Sequence, residues 1–376
     1  MIPLNKNIQL LFGSNELVEE KIVPFDTSLL EEVAQFSNFL FAKKPSAEIV
    51  AFAFWCRRSN LINVSRAYTQ SMGEGNHKVF HITPANVDTV YLYALILSFL
   101  VGNYNVVRVS DRRGAIADEL LNLLLQFSTS TENSLLLKRC SVISYPSYEE
   151  EVTQFYSNWC SKRVVWGGSN AIASINKIVK VIDQIEFPDR FSVAVIKLTN
   201  KAEAFEAAKK FCTDYLSFTQ QACSSPKSIF WYETEAELKQ MFWQKISVIA
   251  KGKSEFKANN HLNRHINLQK ILIQKPEITP LSFIADTGFL AVNLSMPNSL
   301  NYLEEHEGNG LVFTCDIESL KCLPTHKKLQ TITYFGLPCE EVRILNGLRI
   351  VPMGEALMFS HVWDGINLIE RLSEER

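Results

Sequence analysis

The spacing of apolar positions predicts an alternation of helices and strands through most of the chain. From residue 26 to 66 the pattern is helical, with Leu29, Leu30, Val33, Phe36 and Phe39 recurring at steps of three and four, and the apolar run at 49–55 continuing it. Ser28 followed by Glu31 reads as a capping box at its start. A short apolar run, Val79-Phe80-His81-Ile82, then meets the loop Thr83-Pro84-Ala85-Asn86-Val87, and a helix is expected over 90–100. Gly102-Asn103 gives a stop signal, and Tyr104-Asn105-Val106-Val107-Arg108-Val109 is a β-branched strand closed by Ser110. The order strand, loop, helix, strand is a βαβ unit, which implies a parallel sheet.

The alternation continues with helices at 114–127 and 149–159 and strands at 141–145 and 163–166. Gly167-Gly168-Ser169-Asn170 opens another helix, and 191–198 is a further strand. After Thr199 the pattern restarts, with helices at 202–218 and 233–251 around a strand at 228–231. A charged, less regular stretch runs to about Pro280, after which short strands are expected at 288–294, 310–313, 331–335 and 349–351. These elements predict an α/β protein: a doubly wound, Rossmann-type domain over 1–198 with a helical N-terminal segment, a second α/β domain over 199–340, and a C-terminal segment, 341–376, packing back on the core. A chain of 376 residues is long for one hydrophobic core.

Composition narrows the function classes. Hydrophobic residues at 47% and charged residues at 21% are ordinary for a soluble globular protein. The 38 basic and 40 acidic residues leave a formal charge of −2, and no long basic run offers a footprint for nucleic acid. The most apolar stretch, around 90–101, is well short of the roughly 20 residues a membrane span needs. The opening residues turn acidic at once and show no signal-peptide pattern, so a cytoplasmic protein without a membrane anchor is expected. The eight cysteines form no CxxC pair, which speaks against both a zinc site and a disulfide framework. Reduced thiols, most of them buried as small hydrophobes, are the expectation.

Three features carry candidate chemistry. Cys223 lies in Gln221-Ala222-Cys223-Ser224-Ser225-Pro226, between a helix end and a strand. Small polar neighbours leave a sulfur accessible and a turn presents N–H groups to an anion, the conditions for an attacking thiolate; a buried cysteine in a turn is the alternative. Asn86, at a strand-to-helix turn, reads either as an oxyanion holder or as a helix N-cap. Gly167-Gly168-Ser169 reads either as a phosphate cradle at a helix start or as an ordinary tight turn, and it lacks the full six-residue dinucleotide fingerprint. His81 is read as a structural histidine rather than a proton relay. His261 and His265 share a helix face but lack a third ligand, so no metal is expected.

Taken together, these pieces resemble the aldehyde dehydrogenases, and within them the long-chain acyl-CoA reductases known from bacterial bioluminescence. The loop holding Pro84 and Asn86 looks like the superfamily's Pro-x-Asn loop, and Arg108 stands where most members carry a ribose-contacting lysine. Val165-Trp166-Gly167-Gly168-Ser169 matches the glycine-serine turn near the pyrophosphate, and the Cys223 segment matches the nucleophile segment. Gln330-Thr331, Arg349-Ile350-Val351-Pro352 with Gly354, and Trp363-Asp364-Gly365 extend the likeness, which runs from about residue 75 to 372.

The resemblance implies an aldehyde-dehydrogenase-like fold and reduction of an activated fatty acyl group to an aldehyde through a Cys223 thioester, with Asn86 at the oxyanion. It implies a cofactor held by Pro84, Arg108, Ser110, Gly167, Gly168 and Ser169. NADPH is favoured, with Arg112 and Arg113 as further cations for a 2′-phosphate, while Asp111 opposes it and NADH stays open. The acyl donor is an acyl-CoA or an acyl-protein, an acyl-protein synthetase is a possible partner, and a homo-oligomer is expected. One departure bears on the outcome: the strand aligned with the superfamily's general-base glutamate reads Val195-Ile196-Lys197-Leu198 and carries no carboxylate. That fits reduction rather than hydrolysis of the thioester. Two other readings remain, acyl transfer through the same cysteine and a non-catalytic scaffold.

Overall fold

The computed structural model describes residues 7–14, 16–17, 19–83, 90–181, 183–251 and 258–375. The chain divides into two compact units, Met1–Pro188 with Phe359–Arg376, and Asp189–Met358.

The first unit is built on a six-stranded sheet of β1 (Gln9–Gly13), β2 (Lys78–Ile82), β3 (Tyr104–Val109), β4 (Cys140–Ser144), β5 (Lys162–Trp166) and β6 (Gln184–Phe187). Their order is β1-β4-β3-β2-β5-β6, with β1 antiparallel to β4 and every other pair parallel. The chain runs outward from β2 through β3 to β4, then returns to place β5 on the other side of β2. The carboxyl ends of β2 and β5 therefore flank a topological switch point, the position at which doubly wound sheets bind ligands. Helix Val90–Leu100 is apolar all round and its described side chains are buried, as such a helix must be. The N-terminal helical region is three helices, Thr27–Lys43, Ala47–Trp55 and Arg58–Ser65. The expected capping box gives way to a different cap: Asp26, two residues before Ser28, is the N-cap and accepts from the Ser28 amide at 2.8 Å.

The second unit holds a seven-stranded sheet of β7 (Phe191–Ile196), β8 (Pro226–Tyr232), β9 (Pro280–Asp286), β10 (Phe289–Leu294), β11 (Leu311–Ile317), β12 (Leu329–Phe335) and β13 (Arg349–Pro352). The order is β13-β12-β7-β8-β11-β10-β9, parallel except for the β9–β10 pair. β7, expected to close the first domain, is an interior strand of this second sheet, because its register partners are β8 and β12. The expected irregular stretch before Pro280 contains the helix Ala258–Gln274. Its buried face holds Arg264, Asn267, Leu268 and Ile271 at helical spacing, with polar side chains at half of those positions. Arg264 donates to the Asp286 carbonyl at 2.8 Å and Asn267 to that of Glu305 at 2.7 Å, so these buried polar side chains are tied to the carbonyls of neighbouring segments.

Candidate active site

In the first unit, the described residues predicted to hold a cofactor lie at the carboxyl ends of β3 and β5, the strands on either side of β2. Arg108 is near the end of β3, opposite Ile82 of β2, and Ser110 follows β3 directly. Gly167 follows β5, and Gly168 is the N-cap of the helix Ser169–Ile178 without any side-chain cap. Gly168 and Ser169 are exposed, which leaves a helix N-terminus of ten residues facing solvent. Such an end carries partial positive charge and suits a phosphate. Arg108 donates to the Tyr145 carbonyl at 3.0 Å and lies over the Tyr145 ring, while its buried Nε makes no hydrogen bond among the described residues. Ser110 Oγ accepts from the Arg112 amide at 3.1 Å. Arg113 pairs with the half-exposed Asp118 at 2.6 Å. Pro84 and Asn86 lie outside the described residues.

His81 is fully buried, hydrogen-bonded to Asn105 Oδ1 at 3.0 Å, and burial pushes it down to about 4. A neutral, enclosed imidazole on β2 is structural. Trp363 packs near Trp166 with ring centroids 6.1 Å apart, a packing role for the C-terminal Trp-Asp-Gly segment. Among the described residues, no group of three or more His, Cys, Asp or Glu side chains is placed to hold a metal.

In the second unit, the loop bearing Cys223 enters β8 from its amino end. Helix Lys201–Leu216 leads into a short turn, Ser217–Gln220, in which Phe218, Thr219 and Gln220 all take left-handed φ values of 52°, 49° and 64°. Three such residues in a row are strained and persist only where surrounding contacts enforce them. Gln220 supplies those contacts: its Nε2 donates to the carbonyls of Pro226 at 2.9 Å and Leu311 at 2.8 Å, and its Oε1 accepts from the Gly310 amide at 3.0 Å. Gly308 closes the other side, where an added Cβ would stand 2.7 Å from the Gln220 oxygen. Ser192 on β7 donates to the Cys223 carbonyl at 2.7 Å and accepts from the Thr331 amide at 3.2 Å. Ser224 donates to Gln330 at 3.2 Å. The Gln330-Thr331 pair and the cysteine segment, far apart in sequence, are thus joined at the amino ends of β7, β8 and β12.

Exposure separates Cys223 from the other thiols. Cys56, Cys140, Cys212 and Cys315 are buried, Cys322 and Cys339 exposed, and only Cys160 and Cys223 are half-buried. Burial pushes Cys160 up to about 11, and its Sγ donates to the Ser157 carbonyl. Cys223 alone combines partial access with a strained, polar, well-anchored loop.

Two residues that sequence reasoning missed complete the surroundings. Asp214, buried on the helix leading to the loop, accepts from the amides of Gly354 at 2.7 Å and Ala356 at 2.9 Å, tying the Arg349–Gly354 motif to that helix. Lys227, on β8, is buried with its Nζ donating to the Gln220 carbonyl. Neither has a sequence signal, since a buried Asp or Lys looks like a surface one until its partners are known.

The architecture is that of the aldehyde dehydrogenases. The 1-pyrroline-5-carboxylate dehydrogenase of Thermus thermophilus superposes with a TM-score of 0.61 at 10% identity, over 92% of this chain and 79% of that one. Aldehyde dehydrogenase 21 of Physcomitrella patens, solved with its product succinate, gives 0.63 at 10% identity, over 92% and 83%. A lactaldehyde dehydrogenase gives 0.61 at 12% identity, over 88% and 79%. Within that fold, the model of the acyl-CoA reductase (LuxC) family matches residues 57–260, more than half of the sequence, and the chain belongs to that family. No curated protein sequence matches the chain. Family and fold together make it an oxidoreductase of the dehydrogenase type. Among the described residues, no helix is long and apolar enough to cross a membrane.

Proposed function

We propose that the protein reduces an activated fatty acyl group, carried by coenzyme A or by an acyl-protein, to an aldehyde through a thioester on Cys223. The observation that carries the reading is the Cys223 loop: a half-buried cysteine in a loop anchored by Ser192, Ser224 and Gln220 after a strained turn, in a chain of the acyl-CoA reductase family. The thiolate attacks the acyl carbonyl, the carrier thiol leaves with a proton, and the acyl group stays on the sulfur. Asn86 is assigned the oxyanion on the strength of the family likeness alone.

The residues of the first unit fit a nicotinamide dinucleotide. The exposed turn Gly167-Gly168-Ser169 at a helix N-terminus suits the pyrophosphate, and Arg108, with a buried Nε lacking a partner, suits the ribose side; Pro84 and Ser110 are assigned to the same pocket. NADPH is the preferred form and NADH the alternative; when bound, the group supplies the hydride. A homo-oligomer, a cytoplasmic setting and an acyl-protein synthetase as donor partner belong to the same proposal.

The test is intact-protein mass spectrometry after incubation with acyl-CoAs of graded chain length, with and without NADPH, on wild type and Cys223→Ala. Wild type should gain one acyl group that NADPH discharges as aldehyde, and Cys223→Ala should gain none. Acyl loading without discharge by NADPH or NADH would make the protein an acyltransferase instead. Absence of any adduct, from acyl-CoA or acyl-protein, would overturn the proposal.

A further inference from the structure

Helix Ala47–Trp55 is apolar at every position except Glu48. One stripe of it serves the core: Ile49, Phe52 and Ala53 are fully buried, and the Ser37 hydroxyl of helix Thr27–Lys43 donates to the Ala53 carbonyl at 2.6 Å. Val50 and Phe54, one turn apart on another stripe, are 37% and 53% exposed, and Ala51 is exposed between them. A helix that packs by one stripe normally turns polar residues to water on the other, and this one does not. Cations bracket the exposed stripe. Lys43 and Lys44, both exposed, precede the helix, and Arg57 and Arg58 follow it. The Arg57 guanidinium lies 3.3 Å over the Phe54 ring, so charge and apolar surface meet at that end. Among the described residues, Arg58 is the one of the four with an acidic partner, Glu31 at 2.9 Å, in a solvent-exposed pair. Residues 41–66 hold five basic side chains, those four and Arg66, against Glu48 alone. That is a local charge of +4 in a chain whose total is −2, so the segment's sign opposes that of the rest.

An exposed apolar stripe with Lys and Arg at both ends matches the layering of a lipid surface, where hydrocarbon lies beneath anionic headgroups and long basic side chains reach up to phosphate. At nine residues the helix is about 14 Å long, less than half of a bilayer's hydrocarbon core, so it fits in the interface and does not span it. We propose that this face is a peripheral docking site for an anionic lipid bilayer. Val50 and Phe54 enter the boundary between headgroups and acyl chains, while Lys43, Lys44, Arg57 and Arg58 meet lipid phosphates. The inference goes beyond the acyl reduction proposed above and does not depend on it.

The experiment is co-sedimentation of the full chain with vesicles of phosphatidylcholine alone and of phosphatidylcholine with phosphatidylglycerol, at low and at physiological salt. Wild type should bind the anionic vesicles and leave the neutral ones, and its binding should weaken as salt rises. Two double variants separate the contributions. Lys43→Gln with Lys44→Gln removes charge and should weaken binding roughly tenfold or more. Val50→Ser with Phe54→Ser removes the inserted surface and should weaken it about tenfold. All four side chains are exposed, so thermal melting should show both variants folded; if the second melts early, the lysine pair still decides the matter. The proposal is overturned if wild type ignores anionic vesicles, if neutral vesicles bind it equally well, or if neither variant changes binding. It is also overturned if Val50→Ser with Phe54→Ser alters the oligomeric state in size-exclusion chromatography while no vesicle binding is seen, because the face would then join two copies of the chain. No acyl donor or nicotinamide enters these measurements. A chain that binds vesicles but takes up no acyl group would keep this inference while the proposed substrate fell, and the reverse result would do the opposite.

Discussion

Gln220 offers the sharpest test of how the nucleophile loop is held. Replacing it with Met keeps nearly the same volume and leaves the left-handed backbone preference unchanged, so the substitution removes polar contacts without opening a cavity. Three hydrogen bonds go: those to the Pro226 and Leu311 carbonyls, and the one accepted from the buried Gly310 amide. At about 1 kcal/mol net for each, with the orphaned amide as the costliest part, the loss is about 3 kcal/mol. For a unit the size of Asp189–Met358 each kcal/mol shifts Tm by about 2–4 °C, so its transition should fall by roughly 6–12 °C. Scanning calorimetry is the assay, because it separates the transitions of the two units. Gln220→Glu is the companion: it keeps an acceptor for Gly310 but turns an oxygen toward two carbonyls, and should be destabilised at least as much. A Tm within about 2 °C of wild type for Gln220→Met would refute the claim that this side chain holds the strained turn.

Two further outcomes follow from the same unit. Burial pushes Asp214 up to about 7 against the pull of the Gly354 and Ala356 amides and of Arg349. A carboxyl whose folded pKa exceeds its unfolded value contributes stability in full below about pH 4 and loses it as pH climbs through about 7, at up to about 1.4 kcal/mol per pH unit. The stability of wild type minus that of Asp214→Asn, from urea unfolding at about pH 5, 6, 7 and 8, should therefore decline and then level off; a difference that rises with pH would reverse the assignment. Gly308→Ala places a Cβ 2.7 Å from the Gln220 oxygen and 3.1 Å from that of Thr219 at a φ of +79°. The left-handed backbone alone costs about 1–2 kcal/mol, so a lower Tm is expected, and a Tm equal to wild type would refute the close approach of Gly308 to the turn.

What could be read from the sequence divides along physical lines. Strands buried on both faces, such as β3, β5 and β7, announce themselves as β-branched runs, and the helices between them by their period. Strand order does not, because pairing is decided by packing at long range; β7 was expected to finish the first sheet and lies inside the second. The helix Ala258–Gln274 was hidden by the polar residues on its buried face and by Leu262, Ile266 and Ile273 on its exposed one. The short edge strand β1 pairs with β4 through only a few residues and has no alternation to betray it. Cys223 was legible only by company, since a cysteine among small residues fits a buried turn as well as a nucleophile. Gln220, Lys227 and Asp214 were not legible at all: their significance lies in burial and in partners drawn from distant strands.

The side chains around the loop bear on what becomes of a thioester formed there. β7, where hydrolytic relatives of this fold place a base, contributes Phe191–Ile196, all buried and none acidic. The next residue, Lys197, is committed to Glu233 at 2.6 Å and Glu341 at 3.5 Å. The groups bonded to the loop are hydroxyls and amides from Ser192, Ser224, Gln220 and Gln330, with a buried ammonium at Lys227. The hydroxyls and amides are neutral dipoles, not carboxylates that take a proton from water. Under the proposed function, a thioester on Cys223 beside hydroxyls and amides, with no acidic side chain on β7, is expected to be released by a donor other than water, a hydride.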